Sequence, residues 1–226
     1  MNIKTEKQLE NKWGPANAVT PIEIINMFRL AELRRNDVFY DLGSGHGRVI
    51  IMAIIHGKVK RAIGIEQDAD RFCRSRSIAK NLLSKKNLKR IDFLCGWSDE
   101  FEISDATVVY ESHDPFDDED KLYKDSFKNK EVRIIKKHLP LIGYLPIRAH
   151  RDKKNSWFFL MKSPLQKYRT RSKSKWASLA LGKKNATMQE FLNDYNKRLK
   201  KYLNTKDRKD TIKEAKKLIR KYLPCD

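Results

Sequence analysis

Apolar and polar positions fall into blocks along this chain. Val38-Phe39-Tyr40 is a short apolar run that suits a buried strand, and it leads through Asp41-Leu42 into Gly43, Gly45 and Gly47. Val49 to Ile55 is apolar throughout and suits a buried helix ending at His56-Gly57. Ala62 to Glu66 reads as a second strand that closes on an acid, and Ile91 to Cys95 as a third. Between them, Asp68 to Leu83 has helical periodicity, with Arg71, Arg74, Arg76 and Lys80 reading as a solvated face. Upstream, Thr20-Pro21-Ile22-Glu23 carries a cap, a proline and an acid suited to a helix start. Ile24, Met27, Phe28 and Ala31 share one face of the predicted helix, which runs to about Leu33. Downstream, Ala106 to Tyr110 is a fourth strand, and Asp117 to Asp120 open a helix predicted to reach about Lys137. Leu141 to Arg148 and Ser156 to Met161 read as closing strands, with Pro146 at an end or edge. This alternation predicts an open, mostly parallel α/β sheet with helices on both faces.

A strand, a glycine turn and a helix in succession form a cofactor loop, because glycines let a ligand approach backbone amides. The spacing differs from the dinucleotide pattern G-x-G-x-x-G: Arg48 stands where the third glycine of that pattern belongs. Asp41, two residues before the first glycine, would repel a phosphate but suits an amino group. Glu66 ends the second strand, where a carboxylate accepts both hydroxyls of a ribose, and Gln67 follows it. A ligand that joins adenosine to an amino acid satisfies both acids, and that ligand is S-adenosylmethionine. Asp41, Gly43, Ser44, Gly45, Gly47, Glu66 and Gln67 are therefore the expected cofactor residues.

D-L-G-S-G-x-G-R followed by G-I-E resembles the first two motifs of the class I, seven-strand S-adenosylmethionine-dependent methyltransferases. Phe39 to Gly45, together with Val19-Thr20-Pro21, is similar to a narrower group. These are the non-SET protein lysine methyltransferases of the disruptor-of-telomeric-silencing type and their archaeal relatives. The resemblance implies a Rossmann-like sheet of seven strands over about residues 15–161, one of which the apolar pattern does not reveal. It also implies that Thr20 touches the cofactor, although a helix cap alone accounts for that residue. Trp97 and Asp99, after the third strand, flank the adenine by the same resemblance, the alternatives being a core tryptophan and a capping acid. Tyr110, Glu111, Ser112 and His113 leave the fourth strand where reacting groups sit in an open sheet, and are candidates for channel wall and proton acceptor. Asp114-Pro115-Phe116 is similar to the (D/N)-P-P-(Y/F) of nucleic-acid amino methylases, one proline short.

Composition adds an asymmetry. The 226 residues carry a net charge of +20. Residues 162–226 hold 20 Lys/Arg against 6 Asp/Glu, while residues 1–161 hold 29 against 23. Residues 1–14 read as a polar lead-in, and 162–226 as a basic extension with helices over Gln189 to Leu203 and Thr211 to Leu223. Lys167, Arg169, Arg171, Lys173 and Lys175, interleaved with Tyr168 and Trp176, suit a polyanion or nucleic acid. The three cysteines stand in no metal-ligand spacing and read as ordinary thiols, so no metal is expected. No stretch reads as a signal peptide or membrane span, which leads to an expected cytoplasmic location, with nucleoid or ribosome association compatible. Three readings follow. The first is a protein lysine methyltransferase whose substrate is basic and whose tail reaches nucleic-acid-associated proteins. The second is an RNA or DNA methyltransferase, and the third a non-catalytic nucleic-acid-binding module.

Overall fold

The structure is a computed structural model. It describes residues 19–112, 119–128, 130–137, 140–141, 144, 146–151 and 157–165, together with Ser178, Leu181, 183–187, Glu190, Asn193 and Asp194. His113, Asp114-Pro115-Phe116, the 1–14 lead-in and all five cations expected to meet nucleic acid lie outside the described residues.

Helix α1 (Pro21–Leu30) precedes β1 (Val38–Leu42), α2 (Arg48–Met52), a π turn (Ala53–Gly57) and β2 (Arg61–Glu66). Then come α3 (Ala69–Leu82), the single-turn α4 (Lys85–Leu88), β3 (Ile91–Cys95), β4 (Val108–Glu111), α5 (Glu119–Ser126), β5 (Arg133–Lys137), β6 (Arg148–Arg151) and β7 (Trp157–Lys162). The seven strands lie in the order β3-β2-β1-β4-β5-β7-β6. Strands β1 to β5 pair in parallel, and β7 runs antiparallel to both β5 and β6. This is the expected Rossmann-like sheet. The order reverses at β1, the switch point where an open sheet leaves a crevice at the strands' carboxyl ends.

Alternation along each strand splits the core. Phe39, Val108, Tyr110, Ile135 and Phe158 face the cluster that includes α1 and α2. Tyr40, Leu42, Ile65, Val109 and Ile134 face the other, with Tyr123 and Phe127. Thr20 caps α1 through a reciprocal box, its own N–H donating to Glu23 at 2.6 Å.

Two expectations are corrected. The helix predicted to reach Lys137 ends at Ser126, and Arg133-Ile134-Ile135-Lys136-Lys137 is β5, the strand the pattern did not reveal. The closing strand expected over Leu141 to Arg148 instead begins at Arg148. Strand β5 escapes notice because its two lysines look like solvent positions, yet both are buried. Lys136 Nζ lies 2.8 Å from Glu111, which also accepts the Tyr123 hydroxyl, and Lys137 Nζ lies 3.5 Å from Glu23. Cys95 is a free thiol. Among the described residues, no helix is long and apolar enough to cross a membrane.

Breaking a buried pair strands a charge in the interior. Glu111→Ala is therefore expected to cost about 3–5 kcal/mol in urea unfolding. The double replacement Glu111→Leu with Lys136→Met is expected to recover most of that loss.

Candidate active site

The segments that leave β1, β2 and β3 at their carboxyl ends meet around Glu66. All three glycines have positive φ: Gly43 at 80°, Gly45 at 55° and Gly47 at 76°. They do different work. Gly43 and Ser44 turn the chain by donating both backbone N–H groups to the Ile65 carbonyl, each at 2.9 Å. Gly47 lets α2 settle on the sheet, since a Cβ there would stand 2.6 Å from the Phe93 ring. Gly45, by contrast, faces open space, with no atom of a described residue within 4 Å of where its Cβ would be.

Glu66 connects the loops. Its Oε2 accepts the Gly45 N–H at 2.6 Å, its Oε1 the Asp68 N–H at 3.0 Å, and its backbone carbonyl the Gly96 N–H at 3.0 Å. A carboxylate has about four acceptor positions, so two backbone donors leave room for two ribose hydroxyls. The side-chain oxygen of neighbouring Gln67 is buried with no hydrogen-bond partner among the described residues. Asp41 is buried on β1, and burial first, then the charge of Glu66, pushes its carboxyl well above the usual range. A carboxylate held at such cost is compensated by an incoming ammonium. An open cradle at Gly45, an orphaned amide oxygen and two acids together fit S-adenosylmethionine, the first acid for its amino group and the second for its ribose.

The other expected residues take varied positions. Ser44 tucks beneath the turn, its hydroxyl 2.7 Å from where a Gly64 Cβ would be. Thr20 is the α1 cap, with its hydroxyl taken by the Glu23 N–H at 3.4 Å. The segment before it is latched to the cofactor turn, because Arg48 Nη1 donates to the Val19 carbonyl at 2.9 Å. Trp97 is half-buried and Asp99 exposed, on the 3-10 turn (Ser98–Glu100) that follows β3. That turn is pinned by the Trp97 N–H to Glu100 at 2.9 Å.

At the end of β4, Tyr110 pairs in register with Asp41. Burial, then the Asp41 charge, holds its phenol well above the ordinary value, so it stays protonated. Glu111 points to the opposite face and is bound by Lys136 and Tyr123. Ser112 closes the described part of this loop. The sequence did not reveal that Glu23 and Lys137 meet beneath α1. The acid three residues after a cap was visible, but its partner 114 residues away was not.

With this geometry in place, the likenesses to known proteins are specific. The family described as "Histone methylation protein DOT1" matches residues 18–93, which build the glycine turn, Glu66 and α3. A protein-lysine N-methyltransferase of Saccharolobus islandicus is 35% identical over 91 residues, 40% of this chain. The match spans 55% of that relative's own length. An RNA methyltransferase of Salinibacter ruber, solved with S-adenosyl-L-homocysteine, superposes with a TM-score of 0.57 at 27% identity. It covers 64% of this chain and 92% of its own. The B. subtilis m1A22 tRNA methyltransferase, at 17% identity, shares the fold alone, with a TM-score of 0.50 over 86% of this chain and 94% of its own.

Two outcomes test the cradle. Gly45→Ala meets no clash, so it is expected to lower stability by only about 1–2 kcal/mol, the cost of a Cβ in the left-handed region. Calorimetry is expected to show at least tenfold weaker cofactor binding for that variant. Asp41 has a raised folded-state pKa, so its stabilising contribution is full below the unfolded value and lost as pH rises towards the folded one. Asp41→Asn is therefore expected to raise the melting temperature of the cofactor-free protein at pH 7 while weakening cofactor affinity.

By its seven-strand order, its glycine turn with paired acids, and its likenesses, the chain has the fold and cofactor site of the class I S-adenosylmethionine-dependent methyltransferases and resembles the DOT1 family over residues 18–93.

Proposed function

We propose that this protein transfers a methyl group from S-adenosylmethionine to lysine side chains of proteins. The observation that carries this reading is the 35% identity with a protein-lysine N-methyltransferase. The DOT1 match over the residues that form the cradle adds support.

When bound, the cofactor supplies a methyl group on a sulfonium and leaves as a neutral thioether, so the chain's own task is alignment and exclusion of water. Gly45 and Glu66 would hold the donor's adenosine end, and Asp41 its amino-acid end. Tyr110, buried and protonated, serves as a wall of the acceptor channel and not as a base. Glu111, bound to Lys136 and Tyr123, supports that wall from the far side of the sheet. The acceptor must arrive as the free amine, which from a pKa of about 10.4 costs roughly 4–5 kcal/mol at pH 7. A dry, aromatic-walled channel lowers that cost by disfavouring the ammonium. Ser112 and His113 stand nearest in sequence to take the proton, in agreement with their place after β4.

A second reading, methyl transfer to RNA, draws on the 27% identity with the Salinibacter ruber enzyme and on the basic residues 162–226. Incubation with labelled S-adenosylmethionine and cell extract, followed by separate protease and nuclease digestion, distinguishes the two. Label released by protease and resistant to nuclease is expected. Label lost to nuclease would replace the first reading with the second.

A further inference from the structure

The positive charge of the folded domain is concentrated in one place. Residues 69–90, which form α3, α4 and the approach to β3, carry eight Lys/Arg and a single Asp. The rest of residues 1–161 hold 21 Lys/Arg and 22 Asp/Glu and are close to neutral. A charge run on one helix is ordinarily a solvated face. This one continues through a second helix, and few of its cations are neutralised. Arg71 lies 4.0 Å from Asp68, and Arg90 is held by the carbonyls of Val59 and Lys60. Arg74, Arg76, Lys80, Lys85, Lys86 and Lys89 are exposed and make no ion pair with any described residue. Arg76 lies over the Phe72 ring, which fixes its position on the ridge.

We propose that this ridge, α3 with α4, is a docking surface for the phosphate backbone of a nucleic acid. Helix α3 spans 14 residues, about 21 Å, long enough to lie along several phosphates. A membrane surface fits less well. A helix that lies on lipid presents a free apolar face, whereas Phe72, Ser75 and Ala79 of α3 are buried against the domain. The ridge begins at Asp68, whose N–H Glu66 holds, and runs back to the amino end of β3. It flanks the β3 edge of the sheet, with β2 and β1 between it and β4. A strand lying on it is therefore a tether beside the cofactor site and not the acceptor at β4. The inference holds for either acceptor.

The test is fluorescence anisotropy of the full chain with a labelled 30-nucleotide RNA and a 30-base-pair DNA, across 50–200 mM salt. The variant R74Q/K80Q/K85Q/K86Q is compared with R29Q/R35Q/K121Q/K128Q, which removes the same net charge from exposed sites elsewhere. The ridge variant is expected to lose at least tenfold in affinity. Its slope of log affinity against log salt is expected to fall by about 3, the loss of four phosphate contacts. The control variant keeps both. Unaltered circular dichroism and cofactor affinity in the two variants exclude misfolding. Equal losses in both variants, or no loss in either, would overturn the proposal. So would ridge-dependent binding to phosphatidylserine vesicles without binding to either oligonucleotide.

Discussion

One carboxylate holds the site together. Glu66 accepts the Gly45 N–H of the turn after β1 and the Asp68 N–H that starts α3, while its carbonyl accepts the Gly96 N–H after β3. Three loops are thus tied to one residue at the end of β2. The same carboxylate lies near Asp41 and contributes to raising its pKa. The site is therefore built with like charges near one another in a buried place, a state that a cationic, hydroxyl-bearing ligand relieves. Stability and cofactor affinity pull in opposite directions at Asp41, as expected where burial tunes a functional group.

The sheet beneath is braced by a second set of buried charges. Lys136 and Lys137 are successive residues of β5 and so point to opposite faces, one to Glu111 and Tyr123, the other to Glu23 of α1. Through Glu23 and its cap Thr20, α1 is tied to the middle of the sheet. Arg48 then ties the chain just before α1 to the cofactor turn. Pairs of this kind add little net stability over a well-packed apolar pair, but removing one partner is costly. They fix where α1 lies, and α1 borders the site.

Much of this was legible in the residues. The apolar run into spaced glycines and the acid closing the next strand both point to the fold and the cofactor, because each pattern answers a local steric or charge requirement. The α1 cap and its acid were equally plain. The division of labour among the glycines was not, since Gly47 is required by Phe93 of a strand 46 residues away, whereas Gly45 borders an open space. Glu111 looked like a member of the acceptor channel because it follows Tyr110, yet strand alternation turns it to the other face.

The sequence alone determined the strand–glycine–helix unit, its two acids and the parallel sheet they belong to, since these depend on neighbours within a few residues. Only the tertiary structure decided that Arg133 to Lys137 is a strand, because its lysines are buried by acids distant in the chain. It also decided that Arg74, Arg76, Lys80, Lys85 and Lys86 of α3 and α4 are exposed without a carboxylate partner among the described residues. Charge compensation is a matter of distance in space, and a linear sequence does not contain that distance.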